Sequence, residues 1–431
     1  MSIISISSCE KRIMRRLKKI LKRLALALGL LVALALIANA ILVWQTGKRL
    51  EERLSVLRAA GEPLSLPELG AEPPAPGADA AAVLKRIEPE VKALSKEMAP
   101  ILNAPDNPAW TADDRKTLEA AFANHPTVLP ALTEAAACPA YRSPLNYQAN
   151  PSHEFIGEML PFIQVHREVT SILKTQAELQ LLQNDRDGAM RTCLTSLRIS
   201  RHADNEPMLI SYLVASATRA IGVGMANEIL RAGPLAPDLY RELDAELAKH
   251  DTFEAFRHCL RGERAFGYQA FDELLGRGGW FTRAYVNDDK CYYLDLLADW
   301  TAKANSTYAQ YLEYERAAKA EAGGWRHRLT GMLVPAVLKV REAEFRVRCM
   351  VRCLRVLNAL VAKKLDAAPA NLADLGLPPD AVTDSYTDKP LIVKRQDGQW
   401  VVYGLGTNLT DDGGDLDLLK DVGLGPVKAK K

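Results

Sequence analysis

Apolar positions run unbroken from Leu24 to Trp44, 21 residues in which Asn39 alone is strongly polar. As a helix rising 1.5 Å per residue, that run covers about 31 Å, the thickness of a bilayer's hydrocarbon core. Past Trp44 the pattern turns amphipathic. Leu50, Leu54 and Leu57 recur at helical spacing over Thr46 to Ala60, which predicts that the helix continues out of the membrane until Gly61 and Pro63 stop it. Residues 61 to 79 then hold Pro63, Pro67, Gly70, Pro73, Pro74, Pro76 and Gly77, the composition of an extended connector.

From Asp79 to Val340 leucine and alanine return at three- and four-residue spacing, with Pro or Gly at the breaks. This predicts helices near 79–98, 112–124, 127–137, 154–183, 187–203, 207–232, 236–249, 252–275 and 289–321. Thr111 with Asp114 forms a capping box, and Asp185 and Asp187 place acids at the positive end of another helix. Met208 to Leu230 is rich in Ala and Gly, but Arg219, Asn227 and Glu228 interrupt it and argue against a second membrane span. Ala177 to Ala189 has the look of a tetratricopeptide-type hairpin; no 34-residue period accompanies it, so a generic helical hairpin is expected. Gly278-Gly279-Trp280 and Gly323-Gly324-Trp325 read as turns with an anchoring aromatic.

The pattern shifts again near the C-terminus. Arg341 to Lys364 is a basic amphipathic helix, followed by a Pro-containing turn and two short strands, Pro390–Arg395 and Gln399–Leu405. Asp397-Gly398 between them suits a type I′ hairpin turn, because both positions accept positive φ. A hairpin alone is marginal in water, so the preceding helix is expected to cover one face. The fold class is therefore mainly α: an N-terminal transmembrane helix, a multi-helix extracytoplasmic body, and a small C-terminal α+β unit of helix plus β-hairpin. The expected divisions are a basic cytoplasmic segment at 1–23, the span at 24–44, a juxtamembrane helix and linker at 45–78, a helical domain at 79–340 and the C-terminal unit at 341–431.

Charge sets the orientation. Eight basic residues precede the apolar run against one acid, Glu10, an excess that stays on the cytoplasmic side. The chain is +2 overall and its first 23 residues are +7, leaving −5 for the remainder. No basic stripe for phosphate neutralisation lies outside the N-terminus beyond Lys428, Lys430 and Lys431, so nucleic acid is not expected as a partner. The expected partners are the lipid bilayer through residues 24–44 and another envelope protein. Ala38-Asn39-Ala40 resembles a signal-peptidase site, but the apolar run continues through Ile41 to Trp44, which favours an uncleaved anchor. Six cysteines lie beyond the anchor (Cys138, Cys193, Cys259, Cys291, Cys349 and Cys353), widely spaced and with no C-x-x-C, as buried free thiols would be.

From Glu342 to Asp417 the order of helix, linker, Asp384-Ser-Tyr-Thr-Asp-Lys-Pro390, hairpin, Tyr403-Gly-Leu-Gly406 and Asp411-Asp412-Gly-Gly-Asp415 resembles the globular end of type II secretion major pseudopilins. In that family the acidic loop binds calcium, which implies Asp411, Asp412, Asp415 and Asp417 as candidate ligands. Carboxylates and carbonyls of a Gly-rich loop can supply the six to eight oxygens calcium takes, and a solvated acidic turn without metal is the alternative. The chain departs from the family at Leu30 and Leu34, where a processing site would need a different pattern, and in the long helical stretch between anchor and hairpin. Pilin processing and polymerisation are not implied. The whole layout is similar to large single-pass envelope proteins of planctomycete-type bacteria, which implies an architecture and an envelope location but no activity.

Chemistry is sparse. The seven histidines, His125, His153, His166, His202, His250, His258 and His327, form no H-E-x-x-H, and neither a G-x-S-x-G elbow nor a phosphate-cradling G-x-x-x-x-G-K-[ST] loop occurs. The densest polar cluster is Arg201-His202-Ala-Asp204-Asn-Glu206-Pro207, which reads as a polar inter-helix turn and alternatively as an acid/base or ligand set. With no catalytic motif, the expected function is a membrane-tethered scaffold or adaptor binding another envelope component. The alternatives are a hydrolase with a dispersed site, and a secretion-related component with a calcium-binding C-terminus.

Overall fold

The apolar run and the amphipathic stretch after it form one helix, α1 (Ile4–Ala59), in the computed structural model, which describes residues 4–70, 74–75, 77–104, 109–148, 152–275, 279–322, 327–416 and 420–426. The helix ends as its sequence predicts. Gly61, at φ +68°, donates to Arg58 O and Glu62 donates to Leu57 O, both at 3.0 Å, the Schellman pattern that a left-handed glycine allows.

Then follow α2 (Leu66–Leu69), α3 (Ala80–Leu102), α4 (Ala112–Asn124), α5 (Val128–Ala137), α6 (Ser152–Leu182), α7 (Arg186–Ala203), α8 (Leu209–Ala232), α9 (Pro237–His250), α10 (Glu254–Leu275), α11 (Arg283–Ala302), α12 (Tyr308–Ala322) and α13 (Arg328–Ala362). The Thr111–Asp114 capping box is present at the start of α4, and Asp185 caps α7 by accepting from Gly188 N at 2.9 Å. The mainly α class holds, with a small β part near the C-terminus.

Three stretches differ from the sequence pattern. The connector expected over 61–79 is packed in part, since α2 lies within it and Leu64 and Leu66 are buried because their apolar side chains find the core. The stretch 289–321 is two helices, α11 and α12, broken at 303–307. Thr307 and Gln310 exchange side-chain and backbone hydrogen bonds there, at 3.1 and 3.3 Å, so a fresh capping box opens α12. The C-terminal helix begins at Arg328 rather than Arg341, and one continuous helix passes through 340 and 341.

β1 (Ile392–Gln396) and β2 (Gln399–Leu405) form the expected hairpin, with Asp397 at φ +51° and Gly398 at φ +73° in its turn. A third strand, β3 (Asp421–Leu424), pairs antiparallel with β2 and makes the hairpin a sheet of order β1-β2-β3. Asp384, buried before it, accepts from Tyr386 N, Thr387 Oγ1 and Leu405 N, fixing the turn that leads into β1 to the far end of β2.

Trp400, Val402, Val422 and Leu424 of the sheet share one buried cluster with Val351, Leu354 and Leu357 of α13 and with α7, α8, α9 and α10. The C-terminal unit and the helical body thus have a common core. A second cluster joins α3, α4 and α5 to α6, and a third seats Leu66 and Tyr147 on Phe155 and Met159. The apolar α8 is 67% buried over its most hydrophobic window, the signature of a core helix. Nor is the basic face of α13 solvated: Arg355 reaches Asp244 at 2.7 Å, Arg352 reaches Asp251 at 2.9 Å, and the Arg348 guanidinium lies 3.4 Å from the Phe253 ring centre. The six cysteines from Cys138 to Cys353 are free and buried.

The exposed half of α1 gives way to a covered stripe. Asn39 and Val43 are half-buried, Thr46, Leu50 and Leu54 are buried, and this stripe faces α11, which runs alongside in the same direction.

Candidate functional site

The junction Arg201–Pro207 connects α7 to α8 and is where polar side chains converge. Glu206 is 1% exposed, and its Oε1 accepts from Tyr141 OH at 2.7 Å while Tyr147 OH approaches Oε2 at 3.4 Å. His166 Nε2 lies 3.3 Å from the same Tyr141 oxygen. A phenol with one proton spends it on the carboxylate and accepts from imidazole, so His166 is the Nε2–H tautomer. His202 stacks on Tyr141 with ring centres 5.9 Å apart.

Burial governs the protonation of this cluster. Loss of hydration pushes the Glu206 carboxyl up to about 7 despite its phenol donors, and pushes His166 and His202 down to about 4. At neutral pH the imidazoles are uncharged, and the carboxyl holds a proton to far higher pH than an ordinary carboxylate does. These are the ingredients of acid/base chemistry, but Glu206, His166 and His202 are each 3% exposed or less, closed to any substrate.

Asp204 turns the other way, to Arg219 of α8, whose Nε donates to His250 Nδ1 at 2.8 Å. His250 Nε2 in turn lies 3.7 Å from Glu246, a carboxylate that also receives Arg201 and Lys249. Buried guanidinium and carboxylates here neutralise one another and tie α7, α8 and α9 together, which makes the junction chiefly a structural hub.

The arrangement open to solvent lies elsewhere. Arg257, Arg261 and Arg264 occupy one face of α10 and line a cleft of about 390 Å³ with Glu62, Glu254 and Leu57. Glu62, just past the end of α1, meets Arg261 at 3.3 Å and also pairs with Arg264, whose side chain is 2% exposed. Arg257 pairs with Glu254 at 2.5 Å. Three guanidiniums against two carboxylates leave the cleft positive on a body that is otherwise acidic. Planar forks of this kind match carboxylate or phosphate oxygens. The sequence reading missed these residues, although their spacing at 257, 261 and 264 is a helical-face signal.

The acidic loop is held by protein donors. Asp411 accepts from Tyr403 OH at 3.1 Å and Gly413 N at 2.9 Å, Asp412 from Asn408 at 2.8 Å, and Asp415 from Lys420 at 3.1 Å. Asp421 of β3 organises the loop by accepting from Gly414 N at 2.7 Å. Asp417 lies outside the described residues. Among the described residues no three His, Cys, Asp or Glu side chains gather as a metal group. Of the two Gly-Gly-Trp strings, the first has its aromatic 40% exposed at Trp280 rather than anchored in the body, and Trp325 of the second lies outside the described residues.

No protein-family model matches this chain, and neither does any curated protein or solved structure.

Proposed function

We propose that this chain is a membrane-tethered, extracytoplasmic scaffold whose helical body binds an acidic surface of another envelope component. The observation that carries this reading is α1: a single helix whose apolar half is exposed along its length and whose other half is built into the body through Leu50 and Leu54. A helix of that hydropathy is long enough to cross a membrane. The basic N-terminus favours a cytoplasmic start and an external body. The arginine-lined cleft supplies a docking place for carboxylates or phosphates, at the point where the stalk enters the body.

A secretion-related role is a second reading, favoured by β1, which forms an outer edge of the C-terminal sheet and could accept a partner strand. In that reading the acidic loop with Asp411, Asp412, Asp415 and Asp417 takes calcium.

The test is in two parts. The full chain should sediment with membranes and resist alkaline extraction, while residues 46–431 should be soluble. Cross-linking on intact cells should then join the full chain to an envelope partner, and Arg257→Ala with Arg261→Ala should abolish that product. A soluble full chain would overturn the tether, and an unchanged cross-link in the double variant would overturn the cleft as the docking place.

A further inference from the structure

Helix α11 keeps an almost constant register with α1. Asn287 Nδ2 donates to Thr46 Oγ1 at 3.4 Å, Arg49 faces Asp288 at 3.6 Å, and Arg53 meets Asp295 at 2.7 Å. Extended one step towards the N-terminus, the same register brings the turn before α11 against the apolar run, where Asn39 Nδ2 donates to Trp280 O at 3.2 Å. Asn39 lies five residues before Trp44, about 7.5 Å further along the helix towards the middle of the apolar run.

The side chains of that turn are apolar and uncovered. Phe281 is 69% exposed and Trp280 40%, their rings packed edge-on at 5.1 Å. The segment of α1 that carries Asn39 is itself uncovered, with Ile37, Ile41 and Leu42 49 to 57% exposed. Two carbonyls of the turn are paired: Gly279 O takes Thr282 N and Oγ1, both at 2.9 Å, and Trp280 O takes the Asn39 amide. Arg283, exposed at the start of α11, falls at the level of Leu42, where a guanidinium on a long stem reaches headgroup phosphates.

We propose that the Trp280–Phe281 turn inserts into the outer leaflet beside the anchor, a second membrane contact clamped to the first through Asn39. This rests on the reading of residues 24–44 as a membrane span. It gives the lone polar residue of the apolar run a purpose: its amide has a partner in the inserted turn. Continuity with the apolar face of α1 identifies the occupant of the exposed aromatics as lipid.

The experiment uses the full chain in phosphatidylcholine–phosphatidylglycerol vesicles, with an environment-sensitive fluorescent amino acid incorporated singly at Leu28, Phe281 or Ser55 and nitroxide-bearing lipids as quenchers. The expected result is a blue-shifted emission and loss of intensity at 28 and at 281, with neither at 55. Quenching at 28 without quenching at 281 would overturn the inserted turn while leaving the anchor standing, including the case in which 281 is shielded by a second copy or a protein. No quenching at 28 would remove the span and the inference together. Asn39→Leu should reduce quenching at 281 and leave 28 unchanged if the clamp holds the turn at depth; equal quenching in that variant would overturn the clamp.

Discussion

Arg53 and Asp295 meet in a two-pronged contact, with Nε 2.8 Å from Oδ1 and Nη2 2.7 Å from Oδ2, joining the stalk to α11. Asp295 is exposed and the Arg53 side chain a third exposed, so solvent takes back most of what the pair gains. Leu54, one residue on, is 4% exposed. Arg53→Ala should cost less than about 1 kcal/mol and Leu54→Ala about 2 to 4 kcal/mol, since the second leaves a cavity between helices. Urea denaturation of the two variants should separate them; equal losses would mean that charge, not packing, holds the stalk.

Glu206 predicts a pH dependence with a definite sign. Below about pH 4.5 its carboxyl is protonated in both folded and unfolded chains; from there up to about 7 the unfolded carboxyl loses its proton while the folded one keeps it. Stability contributed by this group is therefore full below pH 4.5 and lost as pH rises through about 7. Relative to wild type, Glu206→Gln should gain about 3 kcal/mol on going from pH 4.5 to pH 8. His166 works in the opposite sense, its contribution present above pH 6.5 and lost as pH falls through about 4. Denaturation curves at the two pH values check the difference, and a pH-independent offset between variant and wild type would refute it.

Two glycines should respond oppositely to alanine. A Cβ on Gly262 of α10 would sit 1.7 Å from Pro207 O, a backbone atom that can yield only by moving the α7–α8 junction. Gly262→Ala should cost about 3 kcal/mol. Around Gly224 of α8 nothing lies within 4 Å, so Gly224→Ala should stabilise by about 0.5 to 1 kcal/mol through helix propensity. Melting temperatures of both variants decide the point.

Calcium at millimolar concentration should leave the melting temperature of the full chain unchanged, because Asp411, Asp412 and Asp415 already serve protein donors and Lys420 would have to be displaced. A rise that Asp412→Ala abolishes would show instead that the loop opens to take the ion.

Helix positions were legible because an apolar stripe at three- and four-residue spacing is what a helix must bury, and Thr111 and Asp185 marked their starts. The break before α12 was written too, in Thr307 and Gln310, but the leucine and tyrosine spacing continued across it and masked the signal. Four residues including Asp421 and Gly423 carry too little alternation to announce β3; its pairing with β2 is decided by the body beneath. At the Arg201–Pro207 junction the local acids and histidine stood out, yet Tyr141, Tyr147 and His166 are brought in by folding alone. The cleft was hidden for a related reason. Arginines along α10 look like any solvated face until Glu62 arrives from the end of the stalk.

The stalk has no swivel. Because α1 passes from its apolar segment into the core with unbroken backbone hydrogen bonding, torsion applied at one end is delivered to the other. The arginine cleft therefore keeps a fixed compass bearing relative to the exposed apolar side of the helix, and that bearing changes only if the whole chain turns.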